Sequence, residues 1–481
     1  MTLAIMNIAA VVSLRGLPAE ATYGVSSAFY YLFAAIVFLI PTSMVAAELA
    51  AMFAGKQGGV FRWVGEAFGK RMGFVAIFLQ WFQNTIWFPT VLTFGAVSLA
   101  FIGDNTTSDA ALASNKIFTL CVVLLIYWVA TFISLKGLGW VGKVSKFGAI
   151  VGTIIPAGLL IVFGIIYLAS GGHNYMDMSG SFLPDLSNFN NLVLASSIFL
   201  FYGGMEMMGV HVMEVKNPTK NYPKAIMIGS LATVAIFVLG TFALGFIIPS
   251  DKINLTQSLL VGFDNYFEYL KISWAGPIMA IALAFGVLAG VLTWVAGPSR
   301  GIFTVGKAGY LPPFFQKTNK VGVQKNILLV QGAMVTVLGM LFVVLPSVQS
   351  FYQILSQLTV LLYLIMYLMM FAAAIFLRYK LKNVERPFRI GKNSNLLIWI
   401  VAGVGFFGSL LAFVLSFIMP EMFVGQISSG LWWGVLVGGS IVIVALPLVI
   451  FARRKPEWRD PSSDFEPFYV EEERAKEDAV E

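Results

Sequence analysis

The sequence predicts an all-α membrane protein with about twelve transmembrane helices, in which two inverted repeats of five helices are followed by two more. Three observations predict this fold. The chain is 58% hydrophobic and only 11% charged, apolar stretches long enough to cross a bilayer recur from end to end, and two of these stretches are interrupted. A soluble domain of this composition would expose a large apolar surface. Lipid is therefore the solvent that fits this chain.

The apolar stretches set the number of helices. A helix of about 20 residues crosses ~30 Å of hydrocarbon, and short polar segments separate one stretch from the next. The predicted spans are 1–26, 27–51, 72–103, 115–135, 144–170, 190–214, 223–249, 271–306, 324–346, 350–380, 395–419 and 429–452.

The basic residues indicate how the helices are oriented. Nearly all lysines and arginines fall in alternate loops, and only Lys116, Lys252 and Lys271 fall in the opposite loops. Because positive loops stay in the cytoplasm, both termini are predicted to be cytoplasmic, in the inner (plasma) membrane of a bacterium. The net charge of +7 is spread over these loops and forms no single patch, which argues against a nucleic-acid partner.

Two spans contain residues that interrupt a transmembrane helix. Span one reads AVVSLRGLPAEATYG, which includes Arg15, Gly16 and Pro18, and span six reads FLFYGGMEMMG, which places Gly203 beside an acidic residue. Irregular backbone at this depth must face protein or water. In transporters with inverted repeats, equivalent broken helices meet at the midplane and bind substrate there. Two breaks five spans apart therefore predict an internal repeat with a binding site between them.

The domain organisation follows from this repeat. Spans three and eight are both unusually long, as expected for tilted helices at corresponding positions. The transmembrane domain is predicted at 1–452, with repeat one at about 1–170, repeat two at about 190–380 and extra helices at about 395–452. GKQGGVFRWVGEAFGKRMG predicts a short interfacial helix between spans two and three. The charged segment 453–481 is expected to be a flexible cytoplasmic tail.

The sequence predicts neither an enzyme nor a metal or cofactor site. Cys121 is the only cysteine, and His173 and His211 are the only histidines, so no metal-binding constellation is available. We find no nucleophile elbow, zinc-protease motif or phosphate-binding loop. An ion channel is the alternative of a different class, because broken helices also build selectivity filters, but no pore element is repeated around an axis.

Several short motifs carry a family resemblance. They are AAELA around Glu48, GGVFRWV at 58–64, Glu206 with HVMEVKNP at 211–218, WVAGPSRG at 294–301 and YLIMY at 363–367. Together they resemble the glutamate/GABA antiporters of the amino acid–polyamine–organocation superfamily, which have the leucine-transporter-like fold.

The resemblance implies a function and a set of partners. Its members exchange an amino acid such as glutamate for its decarboxylated amine such as GABA, by alternating access in the lipid bilayer, as in acid resistance. Protons are a further candidate partner, and the protein would be a monomer or homodimer. The open alternatives are a proton-coupled amino acid symporter and an exchanger of another amino acid/amine pair.

The resemblance also implies site residues. It places Glu206 at the break of span six, Trp294 over the substrate, and Tyr363 and Tyr367 along the path. With the residues of the breaks and the polar residues of span three, the predicted substrate-binding set is Ser13, Arg15, Gly16, Leu17, Gln83, Asn84, Tyr202, Gly203, Gly204, Glu206, Trp294, Tyr363 and Tyr367.

This chain departs from the family pattern at two places. The relatives carry a tyrosine and a glutamate before the proline of span one, where this chain has Arg15-Gly16-Leu17-Pro18. They also carry a glutamate four residues before the tryptophan of span eight, where this chain has Gly290. Arg15 and Glu206 are costly at this depth, so two interpretations stay open. They form an ion pair with each other, or they bind the substrate's carboxylate and amine.

Overall fold

A computed structural model of the protein describes residues 11–103, 105–176, 178, 180–184, 193–209, 216–391 and 394–469. His211, most of the HVMEVKNP motif, the start of span one and the end of the tail lie outside these residues. Within them the chain is helical and forms no β-strand.

The α-helices are numbered in chain order. They are α1 (Leu17–Ala21), α2 (Ser26–Ala34), α3 (Ile40–Met52), α4 (Val60–Phe68), α5 (Lys70–Ala100), α6 (Thr106–Ala113), α7 (Lys116–Leu135), α8 (Leu138–Ala149), α9 (Ile155–Ala169), α10 (Ser197–Tyr202), α11 (Met205–Gly209), α12 (Pro218–Ile247), α13 (Ser258–Tyr269), α14 (Ala275–Val305), α15 (Lys325–Gly339), α16 (Leu341–Val344), α17 (Val348–Lys380), α18 (Leu396–Leu415), α19 (Ser429–Trp433) and α20 (Gly439–Ala452).

Short turns of other helix types continue or connect these elements. The π-helical turns are Ala35–Leu39, Ile150–Ile154, Gly306–Tyr310 and Gly434–Gly438. The 3₁₀ turns are Leu14–Gly16, Leu194–Ser196, Ser250–Lys252, Pro313–Gln316, Glu421–Phe423 and Pro456–Trp458.

The predicted set of transmembrane helices is present. In the described part of the chain, nine helices are long and apolar enough to cross a membrane, and they lie at spans two, four, five and seven to twelve. Span three is α5, which is 31 residues long and carries polar side chains along its buried length. Spans one and six are the interrupted ones. The all-α transmembrane fold is therefore confirmed.

Two long helices form the scaffold. α5 and α14, from spans three and eight, are each 31 residues long. They pack against each other, α17 packs on α5, and α8 packs on α14. At one crossing, Gly152 and Gly286 bring their backbones so close that neither could carry a Cβ atom. Small residues let membrane helices approach in this way.

Both predicted helix interruptions are confirmed. In span one, Ser13 is extended, with φ −137° and ψ 111°, and the chain resumes through a 3₁₀ turn into α1. In span six, α10 ends at Tyr202, Gly203 is extended, with φ −68° and ψ 156°, and α11 begins after Gly204. Gly204 has φ +103°, a left-handed conformation that glycine adopts without a steric penalty.

One end of the bundle carries most of the basic loops and is called the basic face here, defined by Arg62, Lys307 and Arg378. At this face the carboxylate of Glu48 accepts hydrogen bonds from Arg378 at 2.5 and 2.6 Å and from the amide of Ile390 at 2.8 Å. The cluster joins α3 to the end of α17. Its buried charges are paired, as a stable membrane-protein interior requires.

The expectation of a flexible tail is wrong for the residues up to Tyr469. Arg62 on α4 is fully buried and donates hydrogen bonds to the carbonyls of Glu466 and Pro467, both at 2.7 Å. The carboxylate of Glu66 accepts hydrogen bonds from the Tyr469 amide at 3.0 and 3.1 Å. The tail therefore completes the hydrogen bonding of a buried ion pair.

A second set of contacts fixes the tail to the segment after α14. Lys307 bonds Ser462 at 2.9 Å and lies 3.6 Å from the carboxylate of Asp460, and Gln316 donates to the Trp458 carbonyl at 2.6 Å. The tail strap, defined as residues 456–469, thus connects α4 with the Gly306–Gln316 region. Composition predicted flexibility because it averages over the segment and does not detect the two phenylalanines that anchor it.

Those phenylalanines are Phe465 and Phe468. Their rings lie 5.6 and 5.5 Å from the ring of Phe61 and both pack over the Arg62 guanidinium at 4.9 Å. Aromatic contacts and cation–π contacts of this kind contribute about 0.5–2 kcal/mol each, enough to hold a short segment that has no core of its own.

We predict that Phe468→Ala releases the tail strap from α4. The substitution removes the ring that packs on Phe61 at 5.5 Å and over the Arg62 guanidinium at 4.9 Å, and the strap has no core of its own to replace these contacts. A spin label on Ser463→Cys, in a Cys121→Ser background, should report a more mobile tail in this variant than in the unmodified sequence.

Glu466→Gln is the matched control, because Arg62 bonds the backbone carbonyl of Glu466 and the side chain of Glu466 is half exposed. It should leave the tail as immobile as in the unmodified sequence. A label that is equally immobile in Phe468→Ala would contradict the prediction.

Candidate substrate site

A cavity lies beside the two helix interruptions. It has a volume of about 360 Å³ and is lined by Ser13, Arg15, Gly204 and Trp294, together with residues of α5, the α8–α9 helix and α14. This volume is within the range of small-molecule sites. A smaller cavity of about 50 Å³ shares Ser13, Arg15 and Trp294 with it. The residues of the predicted set that line only the smaller one are Gln83, Asn84, Gly203 and Tyr363.

Arg15 lines both cavities. Its guanidinium donates to the hydroxyl of Thr90 on α5 at 3.0 Å, and the rings of Trp87 and Phe201 lie 5.4 and 5.3 Å from it. The Nε atom is buried and has no hydrogen-bond partner among the described residues. An arginine held in this way presents a fixed positive charge with unused donor capacity, which suits a carboxylate.

Glu206 lies at the other interruption, just behind the cavity wall. Its carboxylate accepts hydrogen bonds from Gln80 at 3.0 Å, from Tyr363 at 2.6 Å and from Tyr367 at 2.5 Å. Tyr367 in turn accepts the Gly204 amide at 2.8 Å. The backbone donor freed by the helix break is thus linked through one hydroxyl to the acidic side chain.

Arg15 and Glu206 do not pair with each other within the described part of the protein. Arg15 is hydrogen-bonded to Thr90, whereas Glu206 is satisfied by three neutral donors. The ion pair that the sequence left open is therefore not formed in this conformation. The positive charge of Arg15 remains available on the cavity side.

Aromatic rings lie against the two glycines of span six at the cavity wall. A Cβ atom on Gly204 would lie 2.8 Å from the Trp294 ring, and one on Gly203 would lie 2.7 Å from the Tyr363 ring. Asn84 donates to the Trp294 carbonyl at 2.8 Å, which fixes α14 relative to α5. Glycine is therefore required at the break for steric as well as conformational reasons.

The remaining predicted residues support the wall from behind. Gly16 lies against the ring of Phe201, Leu17 is buried against Gly240 of α12, and Tyr202 donates to the carbonyl of Tyr31 at 3.2 Å. None of the three lines either cavity. Neighbouring residues of a helical turn point in different directions, so proximity along the chain does not place them all at the site.

The sequence analysis did not identify two polar residues that bond the predicted site residues, namely Gln80, which bonds Glu206, and Thr90, which bonds Arg15. Gln80 precedes Gln83 and Asn84 by three and four residues, a spacing that places all three on one face of α5, and this pattern would have identified it. Thr90 carries no comparable signal. Its hydroxyl resembles those of many buried threonines, and only the tertiary structure brings it to Arg15.

Gly290 leaves space in the larger cavity. It lines the wall, and a Cβ atom at this position would meet nothing within 4 Å. A side chain at this position would therefore project into the cavity, and glycine leaves that space open.

The fold and this cavity define a membrane transporter of small molecules. The chain matches the amino acid permease family over residues 1–445, and it belongs to this family, within the amino acid–polyamine–organocation superfamily. It is thus a transporter and not an enzyme.

Individual relatives refine this assignment. The chain is 36% identical over 456 residues to an uncharacterized transporter of Legionella pneumophila, covering 95% of this chain and 96% of the relative. It is 31% identical over 445 residues to a glutamate/gamma-aminobutyrate antiporter of Lactococcus lactis, covering 90% and 86%. An aspartate/glutamate permease of Lactococcus lactis is 23% identical over 470 residues, covering 93% of each chain.

We predict that Gly204→Ala strongly impairs transport, whereas Gly290→Ala does not. The first substitution places a methyl group against Trp294 in a left-handed conformation. Strain of ~1–3 kcal/mol, added to the barrier for transport, corresponds to a loss of rate of about 5- to 150-fold. The second places the methyl group in open space. Initial uptake rates in proteoliposomes, normalised to the amount of monodisperse protein, test this. Equal rates for the two variants would contradict it.

Proposed function

We propose that the protein is an antiporter that exchanges glutamate for its decarboxylated amine, GABA, by alternating access. The observation that carries the proposal is the buried Arg15, which faces a cavity between the two helix interruptions with an Nε atom that has no partner in the described residues. The name of the Lactococcus lactis antiporter supports the same pair of substrates.

The chemistry of the two substrates fits one arginine. Decarboxylation at the α-carbon leaves the side-chain carboxylate in place, so glutamate and GABA share that group. Arg15 would bind it in both directions of the cycle through charge-assisted hydrogen bonds. The carbonyl groups at the breaks and the faces of Trp87 and Trp294 would receive the substrate's ammonium group.

The broken helices also suggest the movement. Each half-helix can pack with a different bundle, so one bundle would rock against the scaffold of α5 and α14 to expose the cavity to either side. From the positive-inside rule we infer that the basic face and both termini are cytoplasmic and that the protein lies in a bacterial inner membrane. Because decarboxylation consumes a proton in the cell, this exchange would contribute to acid resistance.

Two observations favour a second candidate, an exchanger or proton-coupled symporter of another amino acid. Arg15 stands where the related antiporters have neutral and acidic residues, and Gly290 leaves space where they have a glutamate. Both differences make the site more positive than in those relatives. An acidic or bulkier substrate would suit such a site.

Counterflow separates the two candidates. Proteoliposomes loaded with GABA should take up labelled glutamate several-fold faster than empty ones, because exchange returns the empty carrier with a substrate bound. Vesicles loaded with agmatine or with aspartate serve as matched controls. Equal uptake by GABA-loaded and empty vesicles would overturn the antiport assignment, and stimulation by a different internal compound would identify another pair.

Arg15 and Glu206 are expected to respond differently to substitution. Arg15→Ala should weaken glutamate binding by about 10- to 100-fold, the effect of losing charge-assisted hydrogen bonds, while Arg15→Lys keeps part of it. Glu206→Gln should weaken glutamate binding less than Arg15→Ala does, because Glu206 lines neither cavity. Isothermal titration with purified protein measures the binding. Unchanged binding by the alanine variant would remove Arg15 from the site.

A further inference from the structure

Glu20 is a buried acidic residue that the proposed transport mechanism does not use. Glu20 lies in α1, on the side of the break away from the basic face, and its side chain is fully buried. One carboxyl oxygen accepts a hydrogen bond from Ser197 at 3.0 Å. The other oxygen has no hydrogen-bond partner among the described residues. Ser197 begins α10, so this single bond joins the outer halves of the two broken helices.

Two other buried glutamates of the transmembrane region have more hydrogen-bond partners than Glu20. Glu48 is bound by Arg378 and a backbone amide, and Glu206 accepts three hydrogen bonds. Each of these two carboxylates therefore has several hydrogen-bond donors. Glu20 has one hydroxyl donor and, in the described structure, forms no salt bridge. An ionised carboxylate buried in this way costs several kcal/mol, whereas the neutral acid does not carry that cost.

Among the described residues, no positively charged group bonds to Glu20 and offsets this cost. The titratable groups that interact electrostatically with Glu20 are Tyr31 on α2, Tyr202 on α10 and Tyr352 on α17. Tyr31 is hydrogen-bonded to Thr241 of α12, the neighbouring helix, at 3.0 Å. On α13, which also contacts α1, the acidic side chain of Asp264 instead accepts a bond from Thr106 at 3.1 Å. Arg15, on the same broken span, is bonded to Thr90.

Further unsatisfied polar atoms lie on the first turns of α17. The amide nitrogens of Gln353 and Gln357 and the hydroxyl of Ser356 have no partners within the described residues. Gln357 also accepts a bond from Ser196, the residue before Ser197, at 3.3 Å. A strip of polar groups therefore borders Glu20 between the start of span six and α17, at the end opposite the basic face. Such a strip can admit water when the helices separate.

We propose that Glu20 is a proton-binding site that couples protonation to closure of the half of the protein opposite the basic face. In the packed conformation the carboxyl holds a proton. When α1 moves away from Ser197 and water enters along α17, the carboxyl releases that proton to the water and ionises. Repacking of the half-helices takes a proton up again. The inference rests on alternating access in the proposed function but not on the identity of the substrates.

Infrared spectroscopy tests the protonation directly. Purified protein at neutral pH, without substrate, should show the C=O stretch of a buried protonated carboxyl. That band should be lost in Glu20→Gln and retained in Glu206→Gln and in Glu48→Gln. Ser197→Ala, which removes the one donor and keeps the acid, should shift the band without abolishing it. Retention of every such band in a folded Glu20→Gln protein would overturn the proposal.

A second measurement tests the coupling. Addition of the transported substrate to weakly buffered protein should cause a proton change, followed with a pH-indicator dye, that is lost in Glu20→Gln and kept in Glu20→Asp. An unchanged signal in the glutamine variant would overturn the coupling. Failure of glutamate/GABA counterflow alongside an intact infrared band would overturn only the proposed substrates, so the two failures are distinguishable.

Discussion

Hydrocarbon cannot supply hydrogen bonds, so a backbone that leaves the helical pattern inside a membrane must find its partners within the protein. The break of span six shows how this requirement extends through the fold. The Gly204 amide is received by Tyr367, Tyr367 donates to Glu206, and Glu206 also needs Gln80 and Tyr363. One interrupted helix therefore fixes side chains on two continuous ones, α5 and α17.

The same requirement shapes the electrostatics of the cavity. The carboxylate of Glu206 accepts its hydrogen bonds from neutral donors and not from Arg15. Among the described residues, Arg15 therefore has no anionic partner at the cavity surface. Aromatic rings surround the guanidinium and keep it in place without neutralising its charge. A ligand with a carboxylate would complete this site, whereas a purely cationic ligand would be repelled from it. Selectivity for the sign of charge thus follows from which partners the acidic residue has.

The sequence predicted the parts of the fold that follow from simple physical regularities. Span length and the residues that interrupt two spans, such as Arg15, Gly203 and Gly204, are local signals, and they located the helices and both interruptions. The partners of Arg15 and Glu206 depend on how α5 rotates against the broken helices, which no local pattern encodes. For that reason Thr90 was missed and the Arg15–Glu206 ion pair could not be decided. The prediction of a flexible tail differs from the structure for another reason. The contacts of Phe465 and Phe468 hold the segment on the bundle although the rest of its composition is polar.

The tail strap has a consequence for how the protein is made. The hydrogen bonds from Arg62 reach residues 404 and 405 positions later in the chain. At synthesis rates of about 5–20 residues per second, Arg62 waits on the order of 20–80 s for these partners to leave the ribosome. During that time the bundle is inserted while Arg62 and Glu66 of α4 lack their partners from the tail. The last folding step at this face therefore follows insertion of the bundle, and a ribosome that stalls before residue 469 has been added would leave an inserted but unfinished protein with this ion pair uncovered.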